Sequence, residues 1–189
     1  ENFSTTCEIV VKKSIADAEI ANIKSQTYTG KAIKPAVKVV YGKKTLKKGT
    51  DYTVSYENNK KIGEATVVIK GKGSYHGTVK KTFTIKAKKG SVHTVDKVKY
   101  KVVKNSINGK GTVSVIGVTN EAKRTSITIG DTVKIGGAKF KVVSIGAKAF
   151  YKCKKLKKIV LGKNISSIGK DAFKKKKKKA KFHVPKAKK

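Results

Sequence analysis

Apolar and polar residues alternate along this chain in short runs separated by turn residues. Val37, Val39 and Tyr41 share one face of such a run, and Tyr52, Val54 and Tyr56 share another. Ala65, Val67 and Ile69 form a third set, and Val79, Phe83 and Ile85 a fourth. A period of two places successive apolar side chains on the same side of a strand. Turn signals punctuate the runs: Thr29-Gly30, Pro35, Tyr41-Gly42, Gly49-Thr50-Asp51, Asn58-Asn59, Gly63, Gly71, Gly73 and Gly77. Several short strands at this spacing predict an antiparallel sandwich over residues 14–88. Lys81 falls on the apolar side of the last strand, which predicts a bulge or an edge there. Upstream, Phe3, Thr5, Cys7, Ile9 and Val11 alternate before Lys12-Lys13. Residues 1–13 therefore read as one strand from a preceding module, paired with the first module or left as an arm.

The same pattern continues past a short polar boundary at Ala87-Lys88-Lys89-Gly90-Ser91, a linker that allows hinge motion with little separation. Val98, Tyr100 and Val102 alternate, as do Val113 and Val115, Ile127 and Ile129, Val133 and Ile135, and Phe140 and Val142. Asn108-Gly109 and Gly136-Gly137 fit hairpin turns. A longer period then appears. Ile145-Gly146 recurs as Ile168-Gly169 and Ala149-Phe150 as Ala172-Phe173, both at an offset of 23 residues. Leu156, Ile159, Leu161 and Asn164 fit the L-x-x-L-x-L-x-x-N frame of a leucine-rich coil. Ile127–Val133 parallels Ile159–Ile165 at an offset of 32, with nine extra residues that a hairpin at Gly136-Gly137 absorbs. Three stacked strands are predicted, at 127–129, 159–161 and 182–184, with 92–125 capping their N-terminal end. In the last repeat Lys176 and Lys179 replace Cys153 and Leu156, as a terminal coil facing water requires, while Phe182 and Val184 supply an inward pair.

Two stretches resemble known families. The strings Y-T-G-K-A-I-K-P at 28–35, L-K-K-G-T-D-Y-T-V-S-Y-E-N-N at 46–59 and G-E-A-T-V-V-I-K-G-K-G-S-Y-H-G-T at 63–78 resemble the immunoglobulin-like repeats of secreted Gram-positive bacterial surface proteins. Ser144-Ile145-Gly146, Ala149-Phe150, Cys153, Leu156, Ile159 and Leu161, repeated in part as Ser167-Ile168-Gly169 and Ala172-Phe173, resemble the BspA-like leucine-rich repeats of bacterial surface proteins. The fold class expected is all-β. An immunoglobulin-like β-sandwich at 14–88 is followed by a linker and β cap at 89–125 and a short capped leucine-rich-repeat solenoid at 126–189. Both resemblances imply an extracellular stalk or adhesion role and no enzyme.

Charge changes the picture of the surface. The net charge is +36, and of 47 basic residues every one is lysine except Arg124. Sequence-specific recognition of nucleic acid recruits the bidentate guanidinium of arginine, so an almost pure lysine surface argues against it. It reads first as a solvated coat, with salt-dependent attraction to polyanions such as wall teichoic acids, sulfated or sialylated glycans, anionic membranes or, without sequence readout, nucleic acid. The run Lys174, Lys175, Lys176, Lys177, Lys178 and Lys179 is the sharpest such feature, a polyanion-docking candidate or a solvated cap. No stretch is long and apolar enough to cross a membrane as a helix. The absence of a leader before Glu1 reads as processing or excision.

Candidate chemistry is sparse. Cys7 and Cys153 lie in different modules and predict no disulfide framework, with Cys153 a buried thiol. His76, His93 and His183 have no metal-ligand spacing. Asp51 and Glu57, near Asn58 and Asn59, suit turn chemistry better than a calcium site. The Gly71-x-Gly73 and Gly109-x-Gly111 pairs complete no phosphate loop. No nucleophile triad and no paired carboxylates are legible, and no cofactor is expected. Tyr41, Tyr75 and Tyr151, near predicted turns, are the ligand-contact candidates, while Tyr52 and Tyr56 are assigned to the core. The reading is a non-enzymatic, monomeric surface protein that binds a host or cell-wall protein or glycan. The alternative is an accessory targeting or spacer region of a larger secreted hydrolase.

Overall fold

The structure is a computed structural model, and it describes residues 11–105, 107, 109–174 and 181–183. Among these residues the chain is almost entirely β, with helix confined to two 3-10 turns at Ile15–Asp17 and Glu121–Lys123. The expected strand at 1–13 falls mostly outside the described residues.

The first module contains β1 (Lys13–Ser14), β2 (Glu19–Ile20), β3 (Gln26–Thr27), β4 (Val39–Tyr41), β5 (Lys44–Thr45), β6 (Tyr52–Glu57), β7 (Gly63–Gly71), β8 (Tyr75–His76) and β9 (Thr78–Lys86). One sheet runs β3-β9-β7-β6 and another β2-β4-β5, while β1 pairs parallel with β8. Both larger sheets contribute to a single buried cluster around Ile15, Val39, Tyr52, Val67, Ile69 and Ile85. The alternating apolar sets of the sequence are its inward faces. Lys81 sits on an edge and not at a bulge: β7 and β9 pair in unbroken register from Gly63↔Ile85 to Lys70↔Thr78, and β3 reaches β9 only at Ile85 and Lys86.

The segment between β3 and β4 forms little ladder, so side chains hold it. The Tyr52 hydroxyl donates to the Val37 carbonyl at 3.2 Å, Tyr56 to Pro35 at 2.6 Å, and the Asn59 amide to Ile33 at 2.9 Å. Burial pushes both phenols above their usual pKa, and the Asp51 carboxylate adds to the effect at Tyr52. Tyr52 lies within the core, whereas Tyr56 is half-buried and packs against it.

The second half contains β10 (Val92–Val95), β11 (Val98–Lys104), β12 (Gly111–Val118), β13 (Ser126–Ile129), β14 (Thr132–Ile135), β15 (Ala138–Ile145), β16 (Lys158–Leu161), β17 (Ser167–Ile168) and β18 (Lys181–His183). Strands β13, β16 and β18 stack in parallel with Ile127 opposite Ile159 and Ile159 opposite Phe182, the registers the offsets of 32 and 23 predict. The hairpin β14–β15 turns at Gly136-Gly137, both at positive φ, and takes up the insertion. A second parallel ladder, β12-β15-β17, was not foreseen. It aligns Ser144 with Ser167, and the antiparallel strands β10 and β11 extend it beyond β12. The expected Asn108-Gly109 turn includes a residue outside those described. Val184 lies outside them too, and Phe182 is corrected: its ring meets Phe173 edge-on at 5.2 Å, yet 44% of it stays exposed.

Two glycines explain how closely successive turns of the chain approach. A Cβ on Gly169 would overlap the backbone of Ala147, with the Ala147 Cα at 2.8 Å. A Cβ on Gly162 would meet the Asp131 amide nitrogen at 2.6 Å. Around these contacts Gly169 N–H donates to Ile145 at 2.8 Å and Ser166 N–H to Val143 at 2.9 Å. The Asp131 carboxylate accepts from the Lys163 amide at 2.7 Å, and Asn164 donates to the Asp131 carbonyl at 3.0 Å.

The polar boundary does not form a free hinge. Gly90 N–H donates to Val102, Val102 N–H donates to Ser91, and Ala87 is buried in the second module's core. Ile62, from the first module, lies in that same core, and its N–H donates to the Gly136 carbonyl at 2.8 Å. The Tyr28 ring packs against both cores, fills the space where a Gly136 Cβ would stand, and meets the His93 ring at 6.0 Å. His93 also shares a 2.9 Å hydrogen bond with the Ser91 hydroxyl, and burial lowers its pKa.

Gly169→Ala is expected to destabilise the second module by about 1–3 kcal/mol in urea unfolding, because backbone cannot yield to the added methyl. Gly130→Ala, whose nearest neighbour would lie at 3.5 Å, should stay within about 0.5 kcal/mol of the parent. Tyr28→Ala should uncouple the modules, turning one cooperative unfolding transition into two and speeding hydrogen exchange at Ile62. A depressed His93 pKa favours the neutral ring in the folded chain. Its contribution is complete above the ordinary value of 6.5 and is lost as pH falls below it, so acidification should weaken the same contact.

Candidate binding face

The ladder β13-β16-β18 has two faces because side chains alternate along each strand. Ile127, Ile129, Ile159 and Leu161 point inward and are buried. The outward positions form two rows fixed by the register. One is Ser126, Lys158 and Lys181, and the other is Thr128, Val160 and His183. All are exposed except Val160, which is half-buried at the centre. A groove at the β16–β18 side is lined by Lys157, Lys158, Val160, Lys181, Phe182 and His183. Among the described residues none of these lysines has an ion pair; acids pair instead with Lys44, Lys80, Lys163 and Lys174. The face is therefore cationic, with an apolar centre and an aromatic edge. It offers hydrogen-bond donors, positive charge and a small hydrophobic contact, which suits binding. Sequence reasoning named none of these outward residues as a site, although the offsets of 32 and 23 place them in rows.

The residues singled out beforehand lie elsewhere. Lys174 is exposed and reaches the Asp171 carboxylate at 3.6 Å, and Lys175 to Lys179 lie outside the described residues. Tyr75 is 4% exposed, so its ring is core and cannot receive a ligand. Tyr41 is half-buried with its ring 5.5 Å from that of Tyr75, and the ammonium groups of Lys13 and Lys44 sit over the two rings at 5.4 and 5.7 Å. These contacts use the aromatic faces for packing and cation–π attraction. Tyr151 is half-buried on the turn after β15. The structure brings Tyr41 and Tyr75 together and leaves Tyr151 in the other module.

Asp51 is buried, accepts from the Lys47 amide at 2.8 Å and pairs with Lys44 at 3.7 Å, which is turn chemistry. Glu57 pairs with Lys80 at 3.2 Å across the sheet and not with Asp51. Among the described residues no three His, Cys, Asp or Glu side chains come together to hold a metal. Cys153 is a fully buried free thiol, as its place in the repeat predicts, and Cys7 lies outside the described residues. Burial raises the Cys153 pKa, the Glu121 carboxylate raises it further and Arg124 opposes them. Alkylation of Cys153 at pH 8 is expected to be slow in the folded protein and at least about a hundredfold faster in denaturant, read by mass shift with time, because a neutral, enclosed thiol is a poor nucleophile. Comparable rates in both states would contradict this burial.

No curated protein and no solved structure matches the chain. Residues 121–189, which hold β13 to β18 and this outward face, match the family described as BspA type Leucine rich repeat region (6 copies). That similarity covers the second module's ladder and stops short of the first module.

Proposed function

We propose that this chain is a non-enzymatic binding portion of a secreted or surface-attached bacterial protein. The outward face of β13-β16-β18 meets the ligand. The observation that carries the reading is the face itself: two rows of outward residues, uncovered by any other described element, in the region similar to BspA type leucine rich repeats. Such a ladder presents side chains at fixed 4.7–4.9 Å steps, a rigid surface that needs little ordering on binding.

The first module we read as an immunoglobulin-like spacer. Its two sheets around one core and its quoted strings support that assignment. The contacts of Tyr28 and Ile62 with the second module make it a support that holds the binding face at a set angle to the first module's sheets. A net charge of +36 opposes self-association, which favours a monomer and favours anionic partners.

A panel of immobilised host proteins, glycans and wall polymers, probed at low and high salt, tests the reading. Binding that survives salt is expected for one ligand class. The double substitution Thr128→Glu with Val160→Glu should weaken it at least about tenfold, the scale of losing a central contact. Ser55→Glu, on an exposed position of β6, should leave it unchanged. The opposite ranking of the two variants would place the site in the first module and defeat the proposal.

A further inference from the structure

Arg124 is the single arginine among 47 basic residues, and it stands at one end of the binding face. It closes the 3-10 turn Glu121–Lys123, where Asn120 in the left-handed conformation redirects the chain out of β12. The β10–β11 turn comes up beside it. Asp96 and Lys97 both take positive φ there, and the Lys97 carbonyl accepts from the Thr119 amide at 2.8 Å. The result is a polar hollow of about 270 Å³ between the two turns, lined by Lys97, Lys123, Arg124 and Ser126 among others. Arg124 is half-buried, lines both this hollow and a neighbouring one that Asp96 shares, and its side chain has no hydrogen bond or ion pair among the described residues. The Glu121 carboxylate on the same turn does not pair with it. The hollow has room for an oxyanion with part of its hydration shell.

The hollow is continuous with the lysine row. Ser126 lines it and is the first member of the row Ser126, Lys158, Lys181. The backbone ties the two together, since the Thr125 carbonyl accepts from the Lys157 amide at 2.7 Å and Lys157 in turn from Lys181 at 2.8 Å. Each step between strands is about 4.8 Å, so the row runs about 10 Å across the ladder from the hollow to Lys181. At its far end Phe182 lines the same groove as Lys158 and Lys181, with Val160 beside them at the centre of the face.

We propose that these elements form one track for a linear sulfated polysaccharide, an inference that rests on the binding role assigned to this face. Arg124, with Lys97 and Lys123, takes one sulfate by its two-pronged donor geometry. Lys158 and Lys181 take the next along the chain, and Phe182 packs on the C–H face of a sugar ring. A glycerol-phosphate polymer has the charge and lacks the ring face, which is why the glycan is favoured over it. Arginine is required at the hollow because lysine offers a single point charge where a planar fork can grip two oxygens.

Fluorescence titration of the full chain with a labelled heparin-type octasaccharide in about 150 mM salt tests this, since at that ionic strength exposed charges beyond about 8 Å are screened. Arg124→Lys, which keeps the charge, is expected to weaken binding about tenfold, and Lys158→Ala with Lys181→Ala by more. Lys43→Ala with Lys70→Ala, exposed on the first module, should change it less than twofold, as for non-specific attraction. All these side chains are exposed or half-buried at the surface, so thermal midpoints should stay within a few degrees of the parent. Equal losses in both lysine pairs together with an unaffected Arg124→Lys would overturn the track and leave a uniformly cationic coat. Tighter, Arg124-dependent binding of a glycerol-phosphate polymer would overturn the glycan assignment. If the parent chain binds no member of the wider panel in a salt-resistant way, the binding role itself fails with it.

Discussion

Close approach of backbone to backbone is the constraint on which the second half of this protein depends. Each turn of chain lies in parallel register on the one before it, and hydrogen bonds such as Gly169 to Ile145 join them. That spacing leaves no room for a side chain at Gly162 or Gly169, where a Cβ would run into neighbouring backbone. Once the turns are locked, Ile127, Ile159, Leu156 and Cys153 are buried together, and Phe150 stacks on Phe173 at 4.9 Å. The same register sets Ser126, Lys158 and Lys181 in a row outside. Core and outward face are the two sides of one periodicity.

The first module is held differently. Its main sheet is built on the long strands β7 and β9, whereas the segment between β3 and β4 is kept in place by hydroxyls of Tyr52 and Tyr56 and by Asn59. Partly buried hydrogen bonds of this sort contribute about 1 kcal/mol each, and losing one partner strands the other. The module's stability is also tied to its neighbour, because Ile62 and Ala87 sit in the second core. A linker short enough to look like a hinge instead lies along β11, and the contact between modules rests on residues distant from it in sequence.

Lysine serves both halves in the same way. Where a carboxylate is near, as at Lys80 and Glu57 or Lys163 and Asp131, the pair is exposed and contributes little to stability. Eleven acids cannot neutralise 47 bases, so most lysines are left to face water. Against that background a lysine by itself marks nothing. The register that stacks Lys158 on Lys181, and the one arginine placed at their end, give position a meaning that composition lacks.

Alternation by itself determined the strands, because period two is a local property of the chain. The offsets of 23 and 32 determined which strands stack, since a parallel ladder repeats the same side-chain phase at every turn. The burial of Cys153, the hairpin at Gly136-Gly137 and the turn role of Asp51 follow from the same local reasoning. Other features were decided only in three dimensions. Tyr75 became core because β8 folds back beneath Tyr41, a contact no spacing records. The second ladder β12-β15-β17 joins Ser144 and Ile145 to Ser167 and Ile168, a recurrence visible in the sequence, but its pairing with β12 follows no repeat along the chain. The docking of Tyr28 on Gly136, and the meeting of the 96–97 and 120–124 turns around Arg124, join residues far apart in the chain. Such contacts depend on how whole sheets pack, and packing is set by the sum of many weak contacts that no single stretch of sequence contains.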